Sequence, residues 1–237
     1  MWSTMGNLLI TSLPAVLLCA AAAYLLGSFN SAIVVCRLMG REDVRNCGSG
    51  NAGATNMLRS QGKLPALLTT VGDLLKTVAA VLLGQWLLLT LGNAEYSEEM
   101  RRVFGSYIAG GFCILGHLYP LYFGFRGGKG VMAALGLALV LDWKVALICL
   151  AVFIAVVALT RIVSLGSCLA SVTFVVLTAV FRTYVYRQEP AEVAFCTLAA
   201  AAVVCLLIIK HIPNIRRILK GTENRFGSRP SAQKKEE

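Results

Sequence analysis

Two stretches decide the fold: residues 145–160, VALICLAVFIAVVALT, and residues 193–209, VAFCTLAAAAVVCLLII. Neither contains a charged residue, and each approaches the roughly 17–25 apolar residues that a helix needs to cross a bilayer. Of all 237 residues, 57% are hydrophobic and 14% are charged, whereas soluble domains contain about 25% charged residues. The sequence therefore predicts an all-α, polytopic membrane helix bundle.

Seven transmembrane helices can be drawn on the apolar stretches. They cover residues 8–36, 64–91, 103–123, 131–143, 145–160, 163–186 and 191–210. Residues 1–227 are predicted to form a single integral membrane domain. Residues 228–237 are predicted to be a polar, disordered cytoplasmic tail, because they lack the apolar residues that a core requires.

Lysine and arginine residues are unequally distributed between the two sides of these spans. One side holds 16 of the 22 and the other holds five, with Lys76 left inside a span. Because basic loops face the cytoplasm, we expect the N-terminus outside and the C-terminus in the cytoplasm. The unusual polar stretches, residues 41–59, 125–130, 161–167 and 210–226, then share the cytoplasmic face. The net charge of +10 suits orientation and phosphate binding here, and no nucleic-acid partner is expected.

The first polar stretch is GREDVRNCGSGNAGATNMLR, residues 40–59. Glycines allow positive φ and a close approach of the backbone to an anion, and successive amides can form an anion-binding nest. Side-chain donors lie between the glycines, and an arginine can bind phosphate through two hydrogen bonds. The candidates are Ser49, Gly50, Asn51, Asn56 and Arg59. An ordinary flexible loop between two helices is the alternative.

The second polar stretch is GFRGGKGV, residues 124–131. Gly127, Gly128 and Gly130 surround Lys129 at the start of a predicted helix, where free amides and the helix dipole favour an anion. The pattern GxxxxGK[ST] is absent, which argues against an ATP-hydrolysing site. A basic loop that only sets the orientation of the chain is the alternative.

The two remaining polar stretches are RIVSLGS, residues 161–167, and KHIPNIRRILKGTENRF, residues 210–226. Ser164 is a candidate in the first, although serine is common in membrane helix packing. On a helix, His211 and Asn214 would share a face, but Pro213 biases the residue before it towards extended geometry. Three roles remain open for His211: a general base, a hydrogen-bond donor or a residue of the membrane boundary.

Two charged residues lie inside the second predicted span. Asp73 and Lys76 are three residues apart, so they could form an ion pair within the bundle. Because intramembrane charges are costly and often functional, both a functional and a purely structural role stay open.

Taken together, these stretches resemble the bacterial acyl-phosphate:glycerol-3-phosphate acyltransferase family, commonly called PlsY. The resemblance runs in order from YLLGSFNSA through DVRNCGSGNAGATNMLR, GDLLK, LGHLYPLYFGFRGGKGV and VSLGS to HIPNIRRILKGTEN. It implies a seven-helix enzyme of the bacterial inner membrane whose active site faces the cytoplasm. Such an enzyme transfers a fatty acyl group from acyl phosphate to the sn-1 hydroxyl of glycerol-3-phosphate. The products are lysophosphatidic acid and inorganic phosphate, in the first acylation step of phospholipid synthesis.

The resemblance also implies roles for individual residues. The expected catalytic residues are Ser49, Arg59, Lys129, Ser164, His211 and Asn214. Glu223 is expected to be structural, and neither a cofactor nor a metal is expected. Membrane lipid surrounds the enzyme, and a functional link to an enzyme that produces acyl phosphate is implied. Four positions depart from the family pattern, namely Asn30, Arg126, Lys210 and Pro213.

A transporter or channel for a phosphorylated metabolite is the alternative from a different functional class. It would also need cationic loops and intramembrane charge. Transporters often contain internal repeats and binding sites at the membrane midplane. This sequence shows no repeat, and its polar stretches lie at one face, which favours the enzyme.

Overall fold

The structure is a computed structural model that describes residues 2–227, so the predicted disordered tail, residues 228–237, lies outside the described residues. Ten α-helices and no strand occur between residues 2 and 227. The helices are α1 (Trp2–Thr11), α2 (Leu13–Ser28), α3 (Ser31–Leu38), α4 (Ala54–Ser60), α5 (Lys63–Leu91), α6 (Glu98–Leu118), α7 (Val131–Leu141), α8 (Trp143–Thr160), α9 (Val163–Val180) and α10 (Pro190–Leu219). Short 3₁₀ turns cover Val44–Asn46 and Leu121–Phe123, and a π-helical turn, Phe181–Val185, extends α9.

Four helices are long and apolar enough to cross a membrane: α5, α8, α9 with its π turn, and α10. Helices α2 and α3 make a fifth candidate when they are counted as one span bent by 42°. Helix α6 has 21 residues but is not apolar enough to join these candidates, and α7 has only 11. The all-helical membrane fold is confirmed, while the number of seven spans and the orientation of the termini stay predictions.

The first predicted span, residues 8–36, is wrong as a single helix, because it is broken at Ser12 and again at Phe29 and Asn30. At the second break, Asn30 Oδ1 accepts the Ile33 N–H at 3.1 Å and caps α3. The Asn30 amide nitrogen donates to the Ala52 carbonyl at 3.4 Å. A polar side chain inside an apolar stretch thus begins α3 and holds the backbone of the first glycine-rich loop, residues 39–53 between α3 and α4.

Other boundaries also differ from the predicted ones. Helix α6 begins five residues before the predicted start, because Ser97 Oγ accepts the Met100 N–H and caps it. Helix α10 continues nine residues past the predicted end and contains Pro213. A proline inside a helix removes one backbone hydrogen bond, yet His211 and Asn214 remain buried, one turn apart on the same face.

The bundle contains two groups of helices, with α7 between them. Helices α2, α5 and α6 pack closely, and α8, α9 and α10 form the second group. Glycine permits the close approach in the first group, since a Cβ atom on Gly27 would overlap the Cys113 carbonyl. Small residues serve membrane helices in this way because van der Waals packing, not water exclusion, holds the helices together.

Candidate active site

The four polar stretches meet at one end of the bundle. Arg45 Nη1, in the first stretch, donates to the Phe123 carbonyl at 2.7 Å, just before the second stretch. Lys129 Nζ donates to Asn214 Oδ1 and so joins the second stretch to the fourth. Ser164 Oγ, in the third stretch, donates to Glu223 Oε1 at 2.8 Å. The convergence predicted from the sequence is therefore present in the tertiary structure.

Asn56 shapes the first glycine-rich loop from inside. Its side chain is 1% exposed; the amide nitrogen donates to the Val44 and Cys47 carbonyls, and Oδ1 accepts the Ser49 N–H at 2.9 Å. Both polar atoms are thus engaged within the loop. Asn56 therefore holds the loop in shape, and its expected role in substrate binding stays a prediction.

Ser49, Gly50 and Asn51 lie at or near the surface of this loop. Ser49 and Gly50 are exposed, and Asn51 is half-buried. Gly50 has φ of +69°, a conformation that L side chains rarely adopt. The loop therefore presents Ser49 outward next to a turn that favours glycine.

The second glycine-rich loop, residues 124–130, packs against the end of α6. The Gly128 N–H donates to the His117 carbonyl at 3.1 Å. A Cβ atom on Gly128 would overlap His117 Nε2 and lie 2.6 Å from the Ala52 carbonyl oxygen, and one on Gly127 would overlap the His117 carbonyl. The Gly128 amide is paired with the His117 carbonyl and there is no space for a side chain, so this glycine permits close packing. Substrate binding by this loop stays a prediction.

Gly130 has a different role in the same loop. Its φ of +79° lies in the left-handed region, at the residue that caps the N-terminus of α7. This conformation lets the chain turn from Lys129 directly into the helix.

Glu223 is the centre of the polar cluster. Its side chain is 6% exposed, and it accepts hydrogen bonds from Ser164 Oγ at 2.8 Å, Asn214 Nδ2 at 2.6 Å and Arg217 Nε at 2.7 Å. Burial raises the pKa of this carboxyl, but the three donors outweigh burial and hold the pKa below its ordinary value. Glu223 is therefore an ionised anchor that orients residues from α9 and α10.

Lys129 and Arg59 supply positive charge around this anchor. Burial lowers the pKa of Lys129 to about 8, although the attraction of Glu223 acts in the opposite direction. Arg59 lies at the exposed rim, where Nη2 reaches the Asn224 carbonyl at 3.5 Å. A partly desolvated lysine beside an exposed arginine forms a cationic pocket suited to a phosphate group.

His211 is buried one turn before Asn214, with 3% of its surface exposed. Its Nδ1 lies 2.8 Å from the Leu207 carbonyl. A carbonyl oxygen only accepts, so Nδ1 carries the hydrogen, and in the neutral ring Nε2 keeps a free lone pair. The ring is thus fixed in orientation and retains one acceptor atom.

An apolar groove begins directly beside the polar cluster. It lies between α7, α8, α9 and α10 and contains about 590 Å³ of space, including its open side. Its lining residues include Val131, Leu135, Phe153, Ser167, Phe174 and Val204. Val131 is two residues after Lys129, and Ser167 is one turn after Ser164, so the groove adjoins the cationic pocket.

Asp73 and Lys76 form the ion pair that the sequence left open. Lys76 Nζ lies 2.8 Å from Asp73 Oδ1, and both side chains are buried. His117 Nδ1 lies 3.0 Å from Lys76 Nζ and 3.5 Å from Asp73 Oδ1. The pair therefore reaches the second glycine-rich loop through His117.

Three residues that the structure places in contact with the loops or with Glu223 were not candidates from the sequence: Asn30, His117 and Arg217. Asn30 and His117 were visible as polar residues at the ends of apolar stretches, which was the available signal. Arg217 is one of several basic residues in 210–226, and nothing in the sequence indicates its contact with Glu223.

The described fold and pocket define an integral membrane protein of the helical class, with a cationic pocket and an adjoining apolar groove at one end of the bundle. A family model described as glycerol-3-phosphate acyltransferase matches residues 17–221. The chain belongs to the glycerol-3-phosphate acyltransferase family.

Relatives named as glycerol-3-phosphate acyltransferase are similar over nearly their whole length. The one from Thermoanaerobacter pseudethanolicus is 39% identical over 212 residues, which are 90% of this chain and 96% of the relative. The one from Syntrophotalea carbinolica is 42% identical over 205 residues, covering 86% and 94%.

Two crystal structures are also similar to this chain. Both are of PlsY (YgiH), an integral membrane glycerol 3-phosphate acyltransferase, in its glycerol 3-phosphate form and its lysophosphatidic acid form. Their TM-scores are 0.73 and 0.72 at 33% and 32% identity. In both comparisons 90% of this chain is covered, with 96% and 95% of the respective crystal structure.

Proposed function

We propose that this protein transfers a fatty acyl group from acyl phosphate to the sn-1 hydroxyl of glycerol-3-phosphate. The products are lysophosphatidic acid and inorganic phosphate. The observation that carries the proposal is the junction of the cationic pocket at Lys129 with the apolar groove that starts at Val131. An acyl phosphate has the same two parts, an anionic head and an apolar chain.

The groove supports an orientation for the acyl donor. Its phosphate would lie at Lys129 and its chain would run between α7 and α9, past Ser167 and towards Phe174. A groove lined by apolar side chains between membrane helices can hold an acyl chain through van der Waals contacts. The glycerol-3-phosphate would then bind on the side of Arg59 and Ser49, which are exposed at the rim.

The reaction needs no protein nucleophile, because an acyl phosphate is already activated. The sn-1 oxygen attacks the acyl carbonyl carbon, the bond from that carbon to the phosphate oxygen breaks, and inorganic phosphate leaves. The contribution of the pocket is to hold both phosphates in place and to stabilise the negative charge that develops. Lys129, Arg59 and the second amide hydrogen of Asn214 supply donors for this purpose, while the Ser164 hydroxyl donates to Glu223 beside them.

The hydroxyl proton needs an acceptor, and two are available. His211 Nε2 is one candidate, since Nδ1 is occupied by the Leu207 carbonyl. The phosphate of a bound substrate is the other, and we favour it because His211 Nδ1 bonds to a backbone carbonyl and not to a carboxylate. A His211→Ala variant with nearly normal turnover would exclude the imidazole as the base.

We place the site on the cytoplasmic side of a bacterial inner membrane. The excess of lysine and arginine at this end supports that side, and the relatives come from bacteria. An enzyme that produces acyl phosphate in the cytoplasm would then supply the donor.

The test is acyl transfer by the purified protein with three donors: acyl phosphate, acyl-CoA and acyl-acyl carrier protein. We expect lysophosphatidic acid from acyl phosphate alone. Activity only with a thioester donor would overturn the proposed donor. Lys129→Gln is the matched negative control, because it removes the pocket charge while keeping a polar side chain.

A second arm addresses the transporter for a phosphorylated metabolite. Liposomes that contain the protein would be given external glycerol-3-phosphate without an acyl donor. We expect no uptake above protein-free liposomes. Uptake above that level would favour the transporter.

A further inference from the structure

A buried cluster of ionisable side chains lies beside the second glycine-rich loop. Asp73, Lys76 and His117 are within 3.5 Å of one another, and their side chains are 3%, 8% and 4% exposed. Charges inside a membrane bundle carry a desolvation cost that the attraction within an ion pair does not reliably offset. Helix packing alone would be served by apolar residues, so the cluster indicates a further requirement at this position.

The cluster is connected to the first glycine-rich loop indirectly, through the backbone at Phe29 and Asn30. Lys76 Nζ donates to the Phe29 carbonyl at 2.9 Å, at the break between α2 and α3. The next residue, Asn30, donates to the Ala52 carbonyl at 3.4 Å. Ala52 belongs to the first loop, so the ammonium group fixes the backbone that carries that loop.

The cluster contacts the second loop directly through His117. The His117 carbonyl accepts the Gly128 N–H at 3.1 Å. Its Nε2 atom and the Ala52 carbonyl both lie against the face of Gly128 where a side chain would project. When the Lys76 ammonium donates to Nδ1, the hydrogen of the neutral ring is on Nε2, on the edge that faces Gly128.

We infer that His117 is a positioning residue for acyl transfer. The Asp73–Lys76 pair holds the imidazole, and the imidazole together with Ala52 fixes Gly128 so that Lys129 enters the phosphate pocket. His117 acts through Lys129 and does not touch the substrate. The inference rests on the proposed function, because it assigns the positioned loop to a phosphate-bearing substrate.

Two substitutions distinguish the contact made by the Nδ1 edge of the ring from the contact made by the Nε2 edge. His117→Asn keeps a polar atom near the Nδ1 position and removes the edge at Gly128, whereas His117→Gln reaches towards the Nε2 position. The measurements are kcat, the KM for acyl phosphate, the KM for glycerol-3-phosphate, and the unfolding temperature. We expect His117→Asn to raise at least one KM about tenfold, which corresponds to about 1.4 kcal/mol. His117→Gln should raise it less.

The KM distinguishes positioning from simple destabilisation. A smaller folded fraction lowers the apparent kcat and leaves both KM values unchanged. The matched control is Gln85→Leu, because Gln85 Nε2 donates to Ser106 Oγ at 2.9 Å and also joins α5 to α6. Gln85 is about 18 Å along α5 from Asp73, so this variant should lower the unfolding temperature without changing either KM.

If His117→Asn does not fold, the double variant Asp73→Asn with Lys76→Gln provides the same test. It removes both charges together, so no unpaired charge is left buried, and it releases the ring. A raised KM supports the inference. Unchanged KM values in the tested variant, or an equal rise in Gln85→Leu, overturn it. Absence of acyl transfer from acyl phosphate by the unsubstituted protein would instead overturn the proposed function.

Discussion

Replacing Glu223 by glutamine tests whether this carboxylate anchors the site. The side chain is 6% exposed and accepts three hydrogen bonds, from Ser164, Asn214 and Arg217. A glutamine of the same size keeps one acceptor oxygen, and its amide nitrogen faces a donor at the other position. A hydrogen bond to a charged group contributes about 1.5–3 kcal/mol. Because the Arg217 side chain is 41% exposed, solvent offsets part of its loss.

We therefore expect Glu223→Gln to lower the free energy of unfolding by about 2–3 kcal/mol. For a chain of this size, that lowers the unfolding temperature by about 5–10 °C. The matched control is Glu98→Gln, since Glu98 pairs with Arg102 at 3.9 Å on an exposed surface. Exposed pairs contribute about 0–1 kcal/mol. Equal shifts in the two variants, measured by thermal unfolding in detergent, would refute the anchoring role.

The pH dependence provides an independent check on the same residue. The folded pKa of Glu223 lies below its ordinary value, so its contribution to stability is full above the unfolded pKa of about 4.3. It is lost as pH falls through the folded pKa. The unsubstituted protein should therefore lose more stability than Glu223→Gln when the pH is lowered below about 4.3. Parallel stability curves would contradict this reasoning.

Three further predictions concern the loop, the pocket charge and the groove. Gly128→Ala should lower kcat/KM at least 100-fold because its Cβ overlaps His117, whereas Gly111→Ala, with open space around it, should be tolerated. Because Lys129 has a pKa of about 8, kcat/KM should fall as pH rises through 8. Lys129→Arg keeps its charge at this pH, so its kcat/KM should fall only at a higher pH. A fall at the same pH in both proteins would exclude Lys129 as the titrating group. Ala170→Phe should fill the groove and raise the KM for palmitoyl phosphate more than for a short-chain donor. Ala21→Phe, in a groove between α2 and α6, should change neither value.

The polar stretches show how far sequence reasoning extends into the site. Glycine, asparagine and basic residues at the ends of apolar stretches predicted one shared site, and the contacts of Lys129 with Asn214 and of Ser164 with Glu223 place these stretches together. The roles within a stretch were less predictable. Asn56 and Gly128 are of residue types that often bind anions, but their polar groups form hydrogen bonds inside the protein.

The sequence by itself determined the membrane class, the helical fold and the end of the bundle where the polar chemistry collects. Hydrophobicity and charge decide these properties, because polar groups are costly to place in lipid. This cost adds up residue by residue along the chain and does not depend on tertiary contacts. Only the tertiary structure decided that Glu223 anchors three donors, that His117 contacts Gly128 and that a groove opens beside Lys129. These properties depend on contacts between residues that are far apart in the chain. Local composition does not determine which distant residues come within hydrogen-bonding distance.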